Sequence, residues 1–227
     1  MSTVGNWRGP NIVKDGLVLY LDAGSSNSYY SLQSGNTWKD ISGNGNNGTL
    51  INGPTFNSGN GGSIVFDGTN AHVTTTFNTQ LTNFTVCLWF RPTDSTNPTY
   101  ARLLDKNYGG GFWLGKGTSA NSWGGGVLEG SSPFGRYLTL TDGQWNFLVS
   151  IRSGITHTLY GNGITNTTSG TVSSNALDTT NLMIARYIDG GGYNFKGNIS
   201  QTSIYNRALS TSEVLQNFNA TRARFGI

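Results

Sequence analysis

Short apolar or alternating runs, each closed by Gly, Asn, Asp or Pro, follow one another along most of the chain, and this is the pattern of β-strands joined by turns. Leu17-Val18-Leu19-Tyr20-Leu21 ends at Asp22-Ala23-Gly24, and Ser63-Ile64-Val65-Phe66 leads into the turn Asp67-Gly68-Thr69-Asn70. In residues 84–91, Phe84, Val86, Leu88 and Phe90 face one way and Thr85, Cys87, Trp89 and Arg91 the other. Both faces are partly apolar, which predicts a strand covered from two sides, as in a two-layer sandwich with extra loops over one sheet. Further strands are predicted at 102–105, 112–116, 126–129, 136–140, 145–151, 182–187 and 195–205. Gly161-Asn162-Gly163 predicts a hairpin between 156–160 and 164–168. A helical pattern comes last: Ser210-Thr211-Ser212-Glu213 reads as a capping box, with Leu209 and Val214 as a hydrophobic staple, and predicts a short helix ending at Phe218.

Composition agrees with that pattern. The 227 residues include 33 Gly, 12% are aromatic and only 11% are charged, which suits many turns and disfavours long helices. The net charge of +3 is spread without a basic block, so neither nucleic acid nor a membrane is an expected partner. Cys87 is alone, which excludes an intrachain disulfide framework. The N-terminus lacks a signal-peptide pattern, so export by the usual route is not expected. No shift in composition marks a second domain. The expected division is an N-terminal arm (1–15), one sandwich (16–218) and a basic C-terminal tail (219–227) that is mobile or docks onto a neighbour.

The loop 38–48 contains Gly43, Gly45 and Gly48 at the G-x-G-x-x-G spacing, but no strand precedes them and no helix follows, so a turn-shaping role is the better reading. The segments Trp38-Lys39-Asp40-Ile41-Ser42-Gly43-Asn44-Gly45-Asn46-Asn47-Gly48, Val65-Phe66-Asp67-Gly68, Phe84-Thr85-Val86-Cys87-Leu88-Trp89-Phe90-Arg91-Pro92, Asp142-Gly143-Gln144-Trp145 and Ile204-Tyr205-Asn206-Arg207-Ala208-Leu209-Ser210 resemble, in that order, the laminin G-like, concanavalin A-like lectin/glucanase jelly roll. The resemblance covers 16–218 and implies an all-β, two-sheet antiparallel sandwich with one short C-terminal helix. The run 203–225 also resembles the ends of single-domain members of this family common in tailed phages. It implies a virion-surface protein, in the head or the tail, whose partners are other virion structural proteins and further copies of itself.

The family includes glucanases, which set two carboxylates on one strand face as nucleophile and acid. Here the glutamates are Glu129 and Glu213, and Glu213 belongs to the helix cap, so catalysis is not expected. His72 and His157 are far apart in the chain and read as strand surface residues. Calcium is a candidate cofactor, with Asp40 and Asp67 as its candidate ligands. Both also fit as turn-bracing residues, and Ser200 and Gln201 stand where relatives carry an Asp-Glu pair after Ile199. For a polysaccharide ligand, Tyr108, Trp113, Trp123 and Tyr137 are the candidates, because they lie in or beside the Gly-rich segments 109–111 and 124–126. The same aromatics suit a core or a subunit interface. The leading expectation is thus a non-enzymatic, lectin-like decorating protein, with a stand-alone carbohydrate-binding module as the alternative and a glycosidase as the third class.

Overall fold

The computed structural model describes residues 11–29, 35–107, 110–127, 135–172 and 179–227. In chain order the strands are β1 (Leu17–Asp22), β2 (Thr37–Trp38), β3 (Gly48–Ile51), β4 (Thr55–Asn57), β5 (Ser63–Asp67), β6 (His72–Thr75), β7 (Phe84–Pro92) and β8 (Arg102–Lys106). They continue as β9 (Phe112–Lys116), β10 (Ser122–Val127), β11 (Arg136–Thr139), β12 (Asn146–Ser153), β13 (Thr156–Gly161), β14 (Asn166–Thr171), β15 (Met183–Ile184) and β16 (Lys196–Tyr205). One helix, α1 (Thr211–Thr221), follows and runs into a 3-10 turn at Arg222–Phe225.

The strands form two antiparallel sheets. The first has the order β14-β13-β12-β7-β16-β5-β4, with β1 also paired to β16, and the second has the order β11-β10-β9-β8-β15-β6-β3-β2. Period-two alternation sends Phe84, Val86, Leu88 and Phe90 of β7 into the space between the sheets. There they meet Phe112 and Leu114 of β9 and Trp123 of β10 in one apolar cluster. Chain neighbours are often not sheet neighbours, because sandwich connections cross from one sheet to the other. The result is the expected antiparallel β-sandwich with one short C-terminal helix.

The second apolar layer differs from the expectation. What covers the outer face of the first sheet is α1 and the chain after it. Cys87, Trp89, Phe147 and Tyr205 pack there with Val214, Phe218 and Phe225. Ser210 forms both halves of the capping box with Glu213, so the helix starts where expected, but it passes Phe218 and ends at Thr221. The basic tail is part of the body: the Phe225 ring stacks at 4.2 Å on Trp89, and both Asp22 carboxylate oxygens accept from Arg224 Nη1, at 2.9 and 3.0 Å. The described end of the arm docks on the same helix, with the Val13 amide donating to Asn217 Oδ1 at 2.8 Å. No described helix is long and apolar enough to cross a membrane.

Two local expectations also change. The glycines at 124–126 lie inside β10, not in a connection. A Cβ on Gly124 would stand 1.9 Å from the Arg136 carbonyl oxygen, so glycine permits a close strand approach there. Both histidines are buried. His157 lies between the sheets with Nε2 2.8 Å from Ser150 Oγ, and its burial, with Arg136 and Arg152 nearby, pushes its pKa down to about 3.

Candidate functional site

The loop 38–48 supplies structure. Trp38 is fully buried, and Asp40 Oδ1 accepts from the amides of Tyr20 and Ser42, while Oδ2 accepts from the Asn46 amide and the Ser42 hydroxyl. Asp67 Oδ1 accepts from the amides of Thr69, Asn70 and Ala71, and these bonds hold its carboxyl below the usual range against the opposing effect of burial. Tyr20 pairs with Ser203 and Asp67 with Lys196, so the two aspartates sit seven positions apart along β16. That is about 20 Å of strand, too far for one ion to bridge. Each aspartate braces its own turn, and among the described residues no group of three or more His, Cys, Asp or Glu gathers to hold a metal.

The outer face of the second sheet is different, because no described helix lies over it. Phe112 and Leu114 point into the core, so Trp113 between them points outward. Its partner across the ladder on β8 is Asp105, and on β10 it is Gly126. Tyr137 on β11 stands opposite Gly124, and its ring lies 5.9 Å from Trp113. The glycines leave the floor between these rings free of side chains.

Two loops raise walls over this floor. Phe195 N donates to the Ala185 carbonyl at 3.0 Å, closing the loop that carries Tyr187 and Tyr193, and Arg102 N donates to the Tyr193 carbonyl at 2.8 Å, tying that loop to β8. Tyr100, with φ of 65°, brings its ring edge-on to Tyr193 at 6.4 Å. The walls and floor enclose a cavity of about 580 Å³ lined by Tyr100, Arg102, Trp113, Gly135, Tyr137, Tyr187 and Tyr193.

Arg102 is the centre of the lining. It is 4% exposed, and its guanidinium carbon lies 4.4 Å from the Trp113 ring centroid, 5.4 Å from Tyr187 and 5.9 Å from Tyr193. Nε donates to Asp105 Oδ2 at 2.9 Å. Three ring faces and one carboxylate therefore fix the plane of the guanidinium. Burial raises the Asp105 carboxyl to about 7 in spite of the opposing pull of Arg102. Tyr187 is also raised, first by burial and then by its hydrogen bond to Asp189. This arrangement can stack on an apolar ring face and donate hydrogen bonds around its rim.

The structure sorts the four aromatic candidates. Trp113 and Tyr137 meet in the cavity. Trp123 does not: it is fully buried on the opposite side of the sheet, with Nε1 donating to Asp142 Oδ1 at 2.7 Å, so it is a core residue. Tyr108 lies outside the described residues. Sequence reasoning passed over Tyr100, Arg102, Gly135, Tyr187 and Tyr193. For two of these a signal existed, since Tyr187 and Tyr193 flank Gly190-Gly191-Gly192, the same pairing of aromatics with a glycine triplet that marked the other segments.

Among known proteins, the family model described as the concanavalin A-like lectin/glucanases superfamily matches residues 66–215. No curated protein matches the chain by sequence. Solved structures share the fold at low identity. The binding domain of Paraclostridial Mosquitocidal Protein 1 superimposes with a TM-score of 0.71 at 18% identity, over 91% of this chain and 52% of that one. Domain 4 of a GH43 extracellular arabinanase from Geobacillus stearothermophilus, solved with arabinotriose, gives 0.68 at 19% identity over 89% and 98%. Trypanosoma rangeli sialidase with sialic acid gives 0.64 at 16% identity over 92% and 33%. The chain thus spans about half of the mosquitocidal binding domain and a third of the sialidase, but nearly the whole of the arabinanase domain.

Proposed function

The chain belongs to the concanavalin A-like lectin/glucanase superfamily, and from that premise we propose that it is a non-enzymatic carbohydrate-binding module whose ligand enters the cavity on the outer face of the second sheet. The observation that carries the reading is the cavity itself: five aromatic side chains and one guanidinium converge on about 580 Å³ of space on the sheet face that no described helix covers. Aromatic faces and a few fixed polar groups are what a saccharide ring with an apolar face and a hydroxyl rim requires. Among the described residues the lining contains no carboxylate, and the adjacent Asp105 is bonded to Arg102, whereas glycoside hydrolysis calls for two carboxyl groups flanking the scissile bond. The arabinanase domain solved with arabinotriose supports a saccharide as the ligand class.

A glycan array probed with the full chain tests the reading. Signal is expected with and without a calcium chelator, because Asp40 and Asp67 brace separate turns and no group of three or more His, Cys, Asp or Glu gathers among the described residues. Tyr193→Ala, which removes a partly exposed wall residue, is expected to weaken binding at least about tenfold, or ~1.4 kcal/mol, with little change in stability. No array signal for the unaltered chain would refute the proposal.

The phage-type resemblance of 203–225 adds a setting, in which the module sits on a virion surface, repeated as an oligomer and held by other virion proteins. Since α1 and the tail cover their own sheet, that setting assigns the contacts with neighbours to the loops and to residues before Gly16. Mass spectrometry of purified particles lacking this chain would remove the setting and leave the binding reading intact.

A further inference from the structure

We propose that the cavity takes a chain of at least two sugar rings, the inner one on Trp113 and Tyr137 and the outer one stacked at the mouth on Tyr100, which sets the preference for a chain over a single sugar. The inference rests on the glycan-binding reading and narrows it to oligosaccharides and longer chains.

The backbone gives the first argument. Among the described residues, seven that are not glycine have positive φ, and five of these are Asn, whose short polar side chain tolerates that conformation. The other two are Tyr100 and Ala185, both with φ of 65°. Each stands at a wall of the cavity: Tyr100 is part of the lining, and Ala185 opens the loop that carries Tyr187 and Tyr193. A left-handed tyrosine costs backbone energy and persists where its surroundings hold it in place. Here Arg102 Nη1 donates to the Tyr100 carbonyl at 3.4 Å, and the next amide, that of Ala101, donates to the Pro98 carbonyl at 2.9 Å. Both bonds act on the main chain, so an Asn at position 100 would keep them. The Tyr100 ring adds little to the core, since the residue is 41% exposed. A strained residue with its ring exposed at the mouth of a cavity is better accounted for by a ligand than by the fold.

The layout of the rings gives the second argument. Exposure rises from floor to mouth, from 2% at Trp113 to 37% at Tyr193 and 41% at Tyr100. Trp113 meets Tyr137 at the floor, and Tyr193 meets Tyr100 at the mouth. Between the two pairs lies Arg102, its guanidinium carbon 4.4 Å from the Trp113 ring centroid and 5.9 Å from that of Tyr193. One sugar ring covers one aromatic face, so a ring on the floor pair leaves the mouth pair to the next unit of a chain. The volume of about 580 Å³ agrees, because it lies in the range that takes a drug-sized ligand and exceeds what one sugar ring fills.

Calorimetric titration of the full chain with arabinan, xylan, cellulose and galactan oligosaccharides of one to four units tests this. In at least one series the trisaccharide is expected to bind about tenfold or more tighter than the monosaccharide, equivalent to ~1.4 kcal/mol. Tyr100→Asn, which suits the left-handed backbone and removes the ring, should lose most of that gain. Its urea midpoint should match or exceed that of the unaltered chain, because strain is relieved, whereas loss of a ring held for packing would lower it. A monosaccharide bound as tightly as the longer chains would overturn the inference and leave the glycan reading standing. So would a Tyr100→Asn protein that keeps the full gain or unfolds at lower urea. Silence of all four series would also overturn the inference, and the glycan array of the unaltered chain then decides the glycan reading by itself.

Discussion

Arg102 and Asp105 sit three residues apart on one strand, buried together, with Arg102 lining the cavity and Asp105 behind it. Removing such a pair from water costs each partner solvation, and here the cost shows as an Asp105 carboxyl raised to about 7. Raised above its unfolded value, that carboxyl favours the protonated native state. Its contribution to stability is present in full below about pH 4 and is lost as pH rises through about 7. Urea unfolding of the unaltered chain and of Asp105→Asn between pH 4.5 and 8 should show this as a slope. Relative to the variant, the unaltered chain loses stability across the window, above a pH-independent offset from the stranded Arg102. A flat difference would mean that Asp105 is ionised throughout. Trp123 shows how one position decides a role: adjacent in sequence to Gly124, it faces the core because strand neighbours point to opposite sides.

At the scale of elements, the C-terminal segment acts as a latch. Glu213 closes the capping box and accepts from Arg207 at 2.6 Å, which pulls its carboxyl down to about 2. The helix so started carries Phe218 onto Trp89, and the turn after it brings Phe225 to 4.2 Å from Trp89 and 4.7 Å from Trp145. Phe225→Ala is expected to cost about 3–5 kcal/mol, the usual loss for a buried Phe, as read by denaturant unfolding. Its saccharide affinity should be unchanged, since the latch and the cavity lie on opposite sheets. A variant as stable as the unaltered chain would show that the tail only rests on the surface. The capping box was legible in the sequence because every partner is local. The latch was not, because Asp22 and Arg224 are 202 positions apart and nothing local joins them.

For the whole molecule, the two outer faces carry separate tasks. The outer face of the first sheet is sealed by α1 and the tail, while that of the second carries the cavity and, among the described residues, no helix. Sites this far apart without shared partners combine additively. The double variant Tyr193→Ala/Phe225→Ala should therefore show the stability loss of the second change and the affinity loss of the first, each within about 0.5 kcal/mol of the single variants. A larger departure, measured by unfolding and calorimetry on all four proteins, would mean that packing between the sheets couples the faces.

From the residues alone came whatever rests on local chemistry: alternating strands, turns at Asn and Gly, the helix start at Ser210, and an order of segments that pointed to this superfamily. Those features depend on backbone geometry and near neighbours, and a chain states them directly. The cavity depends on which strands become neighbours. Trp113 and Tyr137 were visible as aromatics beside glycine, but Tyr100, Arg102, Tyr187 and Tyr193 reach them only because β15 pairs with β8 and β11 with β10. The sequence could not separate Trp113 from Trp123, since both are tryptophans next to apolar or glycine-rich runs. The sheet separated them, because its pleat turns one toward the cavity and the other into the core.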